Sequence, residues 1–75
     1  MKTQKITICL DESRDIVCYM NSLLAREVVD QIYQAFAKQL DDNCLEIISS
    51  YDGIRETIIV KADKIKFCRV EDIDE

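Results

Sequence analysis

Apolar and polar residues alternate near the start of the chain. Ile6, Ile8 and Leu10 are separated by single intervening residues, and this period of two is typical of a strand with one buried face. A polar segment follows at residues 11–15, and the β-branched and aromatic run at residues 16–20 predicts a second strand. These segments together predict an antiparallel β-hairpin.

The middle of the chain carries the strongest periodic signal, an apolar residue at every fourth position. Such a stripe predicts an amphipathic helix of about five turns. Asn21 or Ser22 precedes it, and either side chain can accept a hydrogen bond from an unpaired amide of the first turn. We expect the helix to stop at residues 41–43, with Asn43 in the left-handed C-cap conformation. The stripe consists of Leu24, Val28, Ile32, Phe36 and Leu40, widened by Ala25, Val29 and Ala35.

Two further apolar runs flank an Asp-Gly pair. Residues 45–51 and 54–61 are rich in isoleucine and other residue types that favour strands. Asp52 and Gly53 between them tolerate the positive φ angles of a type I′ turn. This part of the chain therefore predicts a tight β-hairpin.

The order of the elements predicts the fold class. Residues 61–64 predict a turn, residues 65–70 a last strand, and residues 71–75 an acidic tail that we expect to fray. The resulting order is β-β-α-β-β-β. It predicts a single small α+β domain over residues 1–75, in which one amphipathic helix packs on one face of a mainly antiparallel four- or five-stranded sheet.

One helix covers only one face of such a sheet, so each strand should turn apolar residues toward the helix and polar residues away from it. Alternation along the strands assigns ten residues to the helix-covered face. They are Ile6, Ile8, Leu10, Ile16, Leu45, Ile47, Ile58, Val60, Ile65 and Phe67.

Apolar residues also occupy the opposite parity, where polar ones are expected. Scattered surface hydrophobic residues are one explanation, since they occur on every protein. The other is a partner surface on the uncovered sheet face, which would bind a second copy of the chain, giving a homodimer, or another protein. The candidate interaction residues are Val17, Tyr19, Ile48, Ile59, Cys68 and Val70, with Cys9 on the same parity.

The chain is acidic, with a net charge of −5. This charge repels phosphate backbones, so nucleic-acid binding is not expected. The one feature in its favour is the basic segment 60–69, because basic residues next to an aromatic residue, here Phe67, can follow a nucleic-acid backbone. An alternative function is an acidic inhibitor or nucleic-acid mimic, of the phage or mobile-element type, that places carboxylates in the basic groove of a nucleic-acid-processing enzyme. The carboxylates available for it are Asp11, Glu12, Asp15, Glu27, Asp30, Asp41 and Asp42.

Residue types that support catalysis are scarce. The chain has no histidine, one glycine, and four cysteines without a C-x-x-C pair. It therefore offers no common proton shuttle, no glycine-rich phosphate loop and no familiar metal-site spacing. We expect no enzyme activity, cofactor, metal or small-molecule substrate. No apolar run approaches the roughly 20 residues of a membrane span, and the first residues do not have the pattern of a signal peptide. We therefore expect a cytoplasmic location, in which the four cysteines are free thiols.

Overall fold

The chain forms one α-helix and five β-strands in the computed structural model, which describes residues 2–12 and 14–73. The observed order confirms the predicted β-β-α-β-β-β arrangement and the α+β class, with one helix packed against antiparallel strands. The elements are β1 (Thr3–Leu10), β2 (Ile16–Asn21), α1 (Ser22–Phe36), β3 (Cys44–Tyr51), β4 (Ile54–Lys61), a short 3-10 turn (Ala62–Lys64) and β5 (Ile65–Asp72).

The strands that the structure describes divide into two antiparallel sheets. One has the order β2-β1-β5, and the other is the β3–β4 hairpin. β3 lies beside β2 without a backbone ladder. The backbone N–H of Tyr19 donates instead to the Ser49 hydroxyl at 2.9 Å. Ser49 lies on the buried side of β3, so the face of β3, rather than its edge, meets β2.

The core lies between α1 and the inner faces of both sheets. Nine of the ten residues assigned to the covered face are buried or pack partly buried against the core, which agrees with the alternation of the strands. Phe67 is the exception. Its side chain is 45% exposed, so its predicted burial is wrong. The buried apolar residues are Ile6, Ile8, Cys18, Met20, Ala25, Val28, Ile32, Leu45, Ile47, Val60, Ala62 and Ile65.

An irregularity in β5 explains the exposure of Phe67. Cys9 lies opposite Phe67 but Leu10 lies opposite Ile65, so β5 holds one extra residue, Lys66. Such a β-bulge shifts the alternation of every residue beyond it.

The same bulge moves two candidate interaction residues. Cys68 lies opposite Ile8, and Val70 lies opposite Ile6, both of which are fully buried. Directly opposed residues of an antiparallel pair share one face of the sheet. Cys68 and Val70 therefore lie on the helix side, and their predicted place on the uncovered face is wrong.

The helix begins as predicted and ends earlier. The Asn21 side chain accepts a hydrogen bond from the Leu24 N–H at 2.9 Å, which confirms the N-cap. α1 ends at Phe36, so the predicted end at residues 41–43 is wrong. β3 already begins at Cys44, and the residues between are needed to carry the chain back from the helix end.

Lys38, rather than Asn43, takes the left-handed conformation that closes the helix, with a φ of 57°. The Lys38 N–H donates to the Ala35 carbonyl at 3.1 Å, and the Gln39 N–H donates to the Gln34 carbonyl at 2.8 Å. These two bonds form a Schellman motif, which pairs the last free carbonyls of a helix.

The β3–β4 turn matches its prediction. Asp52 and Gly53 have φ angles of 53° and 78°, and Tyr51 pairs with Ile54 across them. Two positive φ angles in a two-residue loop are the signature of a type I′ turn.

The chain remains paired near its C-terminal end. β5 extends through Glu71 and Asp72, and the Ile73 N–H donates to the Thr3 carbonyl at 3.1 Å. The first residues of the segment predicted to fray thus belong to the three-stranded sheet, while residues 74 and 75 lie outside the described part of the chain.

Candidate protein-interaction surface

The six candidate interaction residues lie in three separate places. Val17 and Tyr19 lie on the outer side of β2, Ile48 and Ile59 on the outer side of the β3–β4 hairpin, and Cys68 and Val70 between β5 and the helix. The predicted single patch on one uncovered sheet face is therefore not formed, because the strands divide into two sheets and the bulge turns β5 over.

The outer side of the three-stranded sheet is mixed in character. Val17 lies opposite Thr7, and Tyr19 lies opposite Lys5. The Tyr19 ring stacks on the Tyr51 ring with centroids 4.3 Å apart and planes inclined by 20°. Since β1 places Lys5 and Thr7 here and Tyr51 already covers part of Tyr19, Val17 and Tyr19 do not form a broad apolar surface.

The outer side of the β3–β4 hairpin carries two exposed isoleucines. Ile59 is 71% exposed and lies opposite Glu46, while Ile48 lies opposite Thr57. Each isoleucine thus has a polar neighbour directly across the ladder. The apolar area is small for a binding surface of its own.

Four exposed apolar side chains, those of Tyr33, Phe36, Phe67 and Val70, lie between α1 and β5. They line a groove of about 290 Å³, which we call the helix–β5 groove. Tyr33 is 67% exposed, Phe36 49% and Val70 40%. The lining residues are Val29, Ile32, Tyr33 and Phe36 from the helix and Phe67, Cys68 and Val70 from β5.

The groove is open because the helix packs mainly on elements other than β5. α1 packs against β1, β2, β3 and the 3-10 turn, and only Ala25, Val28 and Ile32 are buried along it. The side of the helix that faces β5 is packed less closely. Tyr33 and Phe36 therefore remain at the surface.

Tyr33 was not among the functional candidates predicted from the sequence. It lies outside the stripe at every fourth position, but Val29, Ile32, Tyr33 and Phe36 follow the spacing i, i+3, i+4, i+7 of a second apolar face. The sequence thus contains two overlapping apolar faces on one short helix. They indicate that the helix has more apolar surface than one face of a sheet can cover.

β5 also has an unpaired edge. It pairs with β1 on one side, and no other strand of residues 2–12 and 14–73 pairs with it. The Ile73 N–H bonds to Thr3 of β1, and hydrogen-bonding direction alternates along an antiparallel strand. The backbone groups of Cys68, Val70 and Asp72 therefore point to the free edge. An edge of this kind is a template for pairing with another strand.

The thiols of Cys68, in the groove, and of Cys18, in the core, are uncharged at neutral pH. Burial raises the pKa of Cys68 above its ordinary value. Burial, followed by the nearby Glu56 carboxylate, raises the pKa of the core thiol Cys18 to about 11. Since the thiolate is the nucleophile and the metal ligand, Cys68 contributes an apolar wall to the groove.

No protein-family model, curated protein or solved structure matches the chain.

Among the described residues, no group of three histidine, cysteine or acidic side chains is placed to hold a metal ion, and no helix there has the length and apolar character to cross a bilayer. The helix–β5 groove, with the free edge beside it, is therefore the candidate site on which a function can be argued.

Proposed function

We propose that the chain is a small, non-enzymatic protein-interaction module that binds an extended segment of a protein partner along the free edge of β5. Apolar side chains of that segment would enter the helix–β5 groove. The observation that carries the proposal is the coincidence of two features at Cys68 and Val70, which turn their side chains into the groove and their backbone groups to the open edge.

Neither feature suffices for binding alone. Covering the exposed parts of Tyr33, Phe36 and Val70 stabilises a complex by roughly 1 kcal/mol each at about 25 cal/mol per Å² of apolar surface. Association costs at least about 4 kcal/mol in lost motional freedom. Backbone hydrogen bonds at the β5 edge, worth about 1 kcal/mol each, supply the remainder. Strand addition beside an apolar groove uses both contributions.

The test is selection of peptides on the folded chain. A random-peptide library is panned against the immobilised protein, and binding of the selected peptides is then measured by fluorescence anisotropy. We expect apolar peptides with β-forming residues whose affinity falls about fivefold for the Val70→Ser variant. Ile59→Ser is the matched control, since it removes a more exposed apolar strand residue on the other sheet. Selection of no peptide, or of peptides that bind both variants alike, would contradict the proposal.

The acidic-inhibitor alternative has less support. It requires a surface on which carboxylates stand together without cations. Asp11 and Glu12 share a surface depression with Lys61 and Lys64, and Asp30 pairs with Arg26 at 3.4 Å. Interleaved charge of this kind favours solubility over mimicry of a phosphate backbone.

A cytoplasmic location is part of the proposal. The four cysteines Cys9, Cys18, Cys44 and Cys68 are free thiols. Free thiols persist in a reducing compartment, and this supports an intracellular partner for the module.

A further inference from the structure

The charges along β5 are divided by sign. The N-terminal part of the strand and the residue before it carry Lys64, Lys66 and Arg69, and the C-terminal part carries Glu71 and Asp72. A second β5 that lies antiparallel to the first places its acidic part beside this basic part. A parallel neighbour would place like charges together. The edge of β5 is therefore complementary in charge to an antiparallel copy of itself.

Symmetry restricts how two such edges can pair. A two-fold axis normal to the sheet keeps both helices on the same side, and each edge then offers the backbone groups of Cys68, Val70 and Asp72. An axis at Arg69 would set two guanidinium groups face to face. An axis at Val70 sets Arg69 opposite the Glu71 of the second copy, twice, and Phe67 opposite its Ile73.

The bulge supports the Val70-centred arrangement. With the axis at Val70, the paired segment runs from residue 67 to residue 73, beyond the extra residue at Lys66. The regular part of the edge is thus used in full, and the irregular part remains outside the ladder. The two helix–β5 grooves meet on the same side of the joined sheet, so each copy helps to cover the exposed Val70 of the other.

Resting on the proposed function, we infer that the partner segment is β5 of a second copy of this chain. The two copies pair antiparallel about Val70 and form one continuous sheet with the order β2-β1-β5-β5-β1-β2. The Arg69 and Glu71 pairs fix the register, and the joined grooves bury the apolar side chains between the two helices.

Sedimentation equilibrium of the full chain at micromolar to millimolar concentration tests the inference. We expect twice the mass of one chain at the upper end of this range. Arg69→Glu should raise the dissociation constant about tenfold, because it replaces two attractive pairs by two repulsive ones. The double variant Arg69→Glu/Glu71→Arg restores complementarity and should return the constant to within about threefold of the original.

A second pair of variants tests the position of the axis. Val70→Lys should leave the chain monomeric at every concentration, while Ile59→Lys on the other sheet should dimerise as the original chain does. Circular dichroism and thermal melts report whether each variant is folded. If Val70→Lys unfolds, the charge exchange at residues 69 and 71 decides the question.

The outcomes separate this inference from the proposed function. A chain that stays monomeric at millimolar concentration, or a double variant that fails to recover the affinity lost by Arg69→Glu, overturns the β5 dimer. If selected peptides still require Val70 in that case, the interaction module stands with a different partner. If the chain is monomeric and no peptide is selected, both proposals fall.

Discussion

Lys38 offers a direct test of how the helix ends. A side chain with a Cβ atom at the left-handed φ of 57° costs about 1–2 kcal/mol, and glycine at this position removes that cost. Glycine also gives the unfolded chain more freedom, which lowers the stability of the fold by about 0.4–1 kcal/mol. Lys38→Gly should therefore raise the free energy of unfolding by about 0.5–1 kcal/mol.

Urea unfolding followed by circular dichroism measures this difference, and in a thermal melt it corresponds to a rise of about 4 °C for a domain of this size. Two control variants separate the causes. Lys38→Ala keeps the Cβ atom and removes the charge, so it should have little effect. Gln39→Gly adds unfolded-state freedom next to the same turn without relieving a positive φ, so it should destabilise. A Lys38→Gly variant that is no more stable than Lys38→Ala would refute the strain argument.

Two further predictions concern the core. Ser49→Ala removes the acceptor of the Tyr19 N–H at the edge of β2 and should lower the free energy of unfolding by about 1–2 kcal/mol, whereas Ser50→Ala on the exposed side of the same strand should change it little in the same urea titration. Because the pKa of Cys18 is raised from 9.0 to about 11 in the fold, the unfolded thiol ionises first, so its contribution to stability is complete below pH 9 and is lost between pH 9 and pH 11. Between pH 9 and pH 11 the free energy of unfolding of the original chain should therefore fall more steeply than that of the Cys18→Val variant. The same pH dependence in both proteins would contradict the argument.

Local signals in the sequence were sufficient for the strands and the tight turn. β4 begins and ends at the predicted residues, Ile54 and Lys61, because alternation, β-branched residues and the Asp-Gly pair all indicate the same structure. Asn21 caps the helix as predicted for the same reason, since a cap depends on a neighbour three residues away. Agreement between independent local preferences made these elements predictable.

Features that depend on distant residues were not predictable in this way. The Ser49 hydroxyl accepts the Tyr19 N–H, as a backbone carbonyl would in a sheet. The residues next to Ser49 in the sequence do not indicate that Tyr19 is its partner. The early end of the helix rests on Lys38, whose residue type does not favour the left-handed conformation. Both are settled by how the chain must connect elements that already pack elsewhere.

The candidate site was predicted only in part. Cys68 and Val70 were recognised as apolar residues in excess, but their side was assigned by uninterrupted alternation, and the bulge at Lys66 is set by the pairing with β1. Tyr33 and Phe36 needed knowledge of which helix side stays uncovered. The sequence was enough to predict the strand that carries the site. Which side of that strand faces the helix, and which helix residues lie next to it, depends on the tertiary structure.

The bulge at Lys66 decides which side chains of β5 face the helix. If β5 kept its length but ran without the bulge, in simple alternation from Ile65, Arg69 and Glu71 would face the helix and Cys68 and Val70 would face the solvent. Deletion of Lys66 would remove the bulge and leave these facings as they are, because Ile65 and Phe67 already lie on opposite faces of the sheet. The bulge therefore accommodates one surplus residue in β5 while the apolar side chains beyond it stay on the helix side and the charged ones stay on the other.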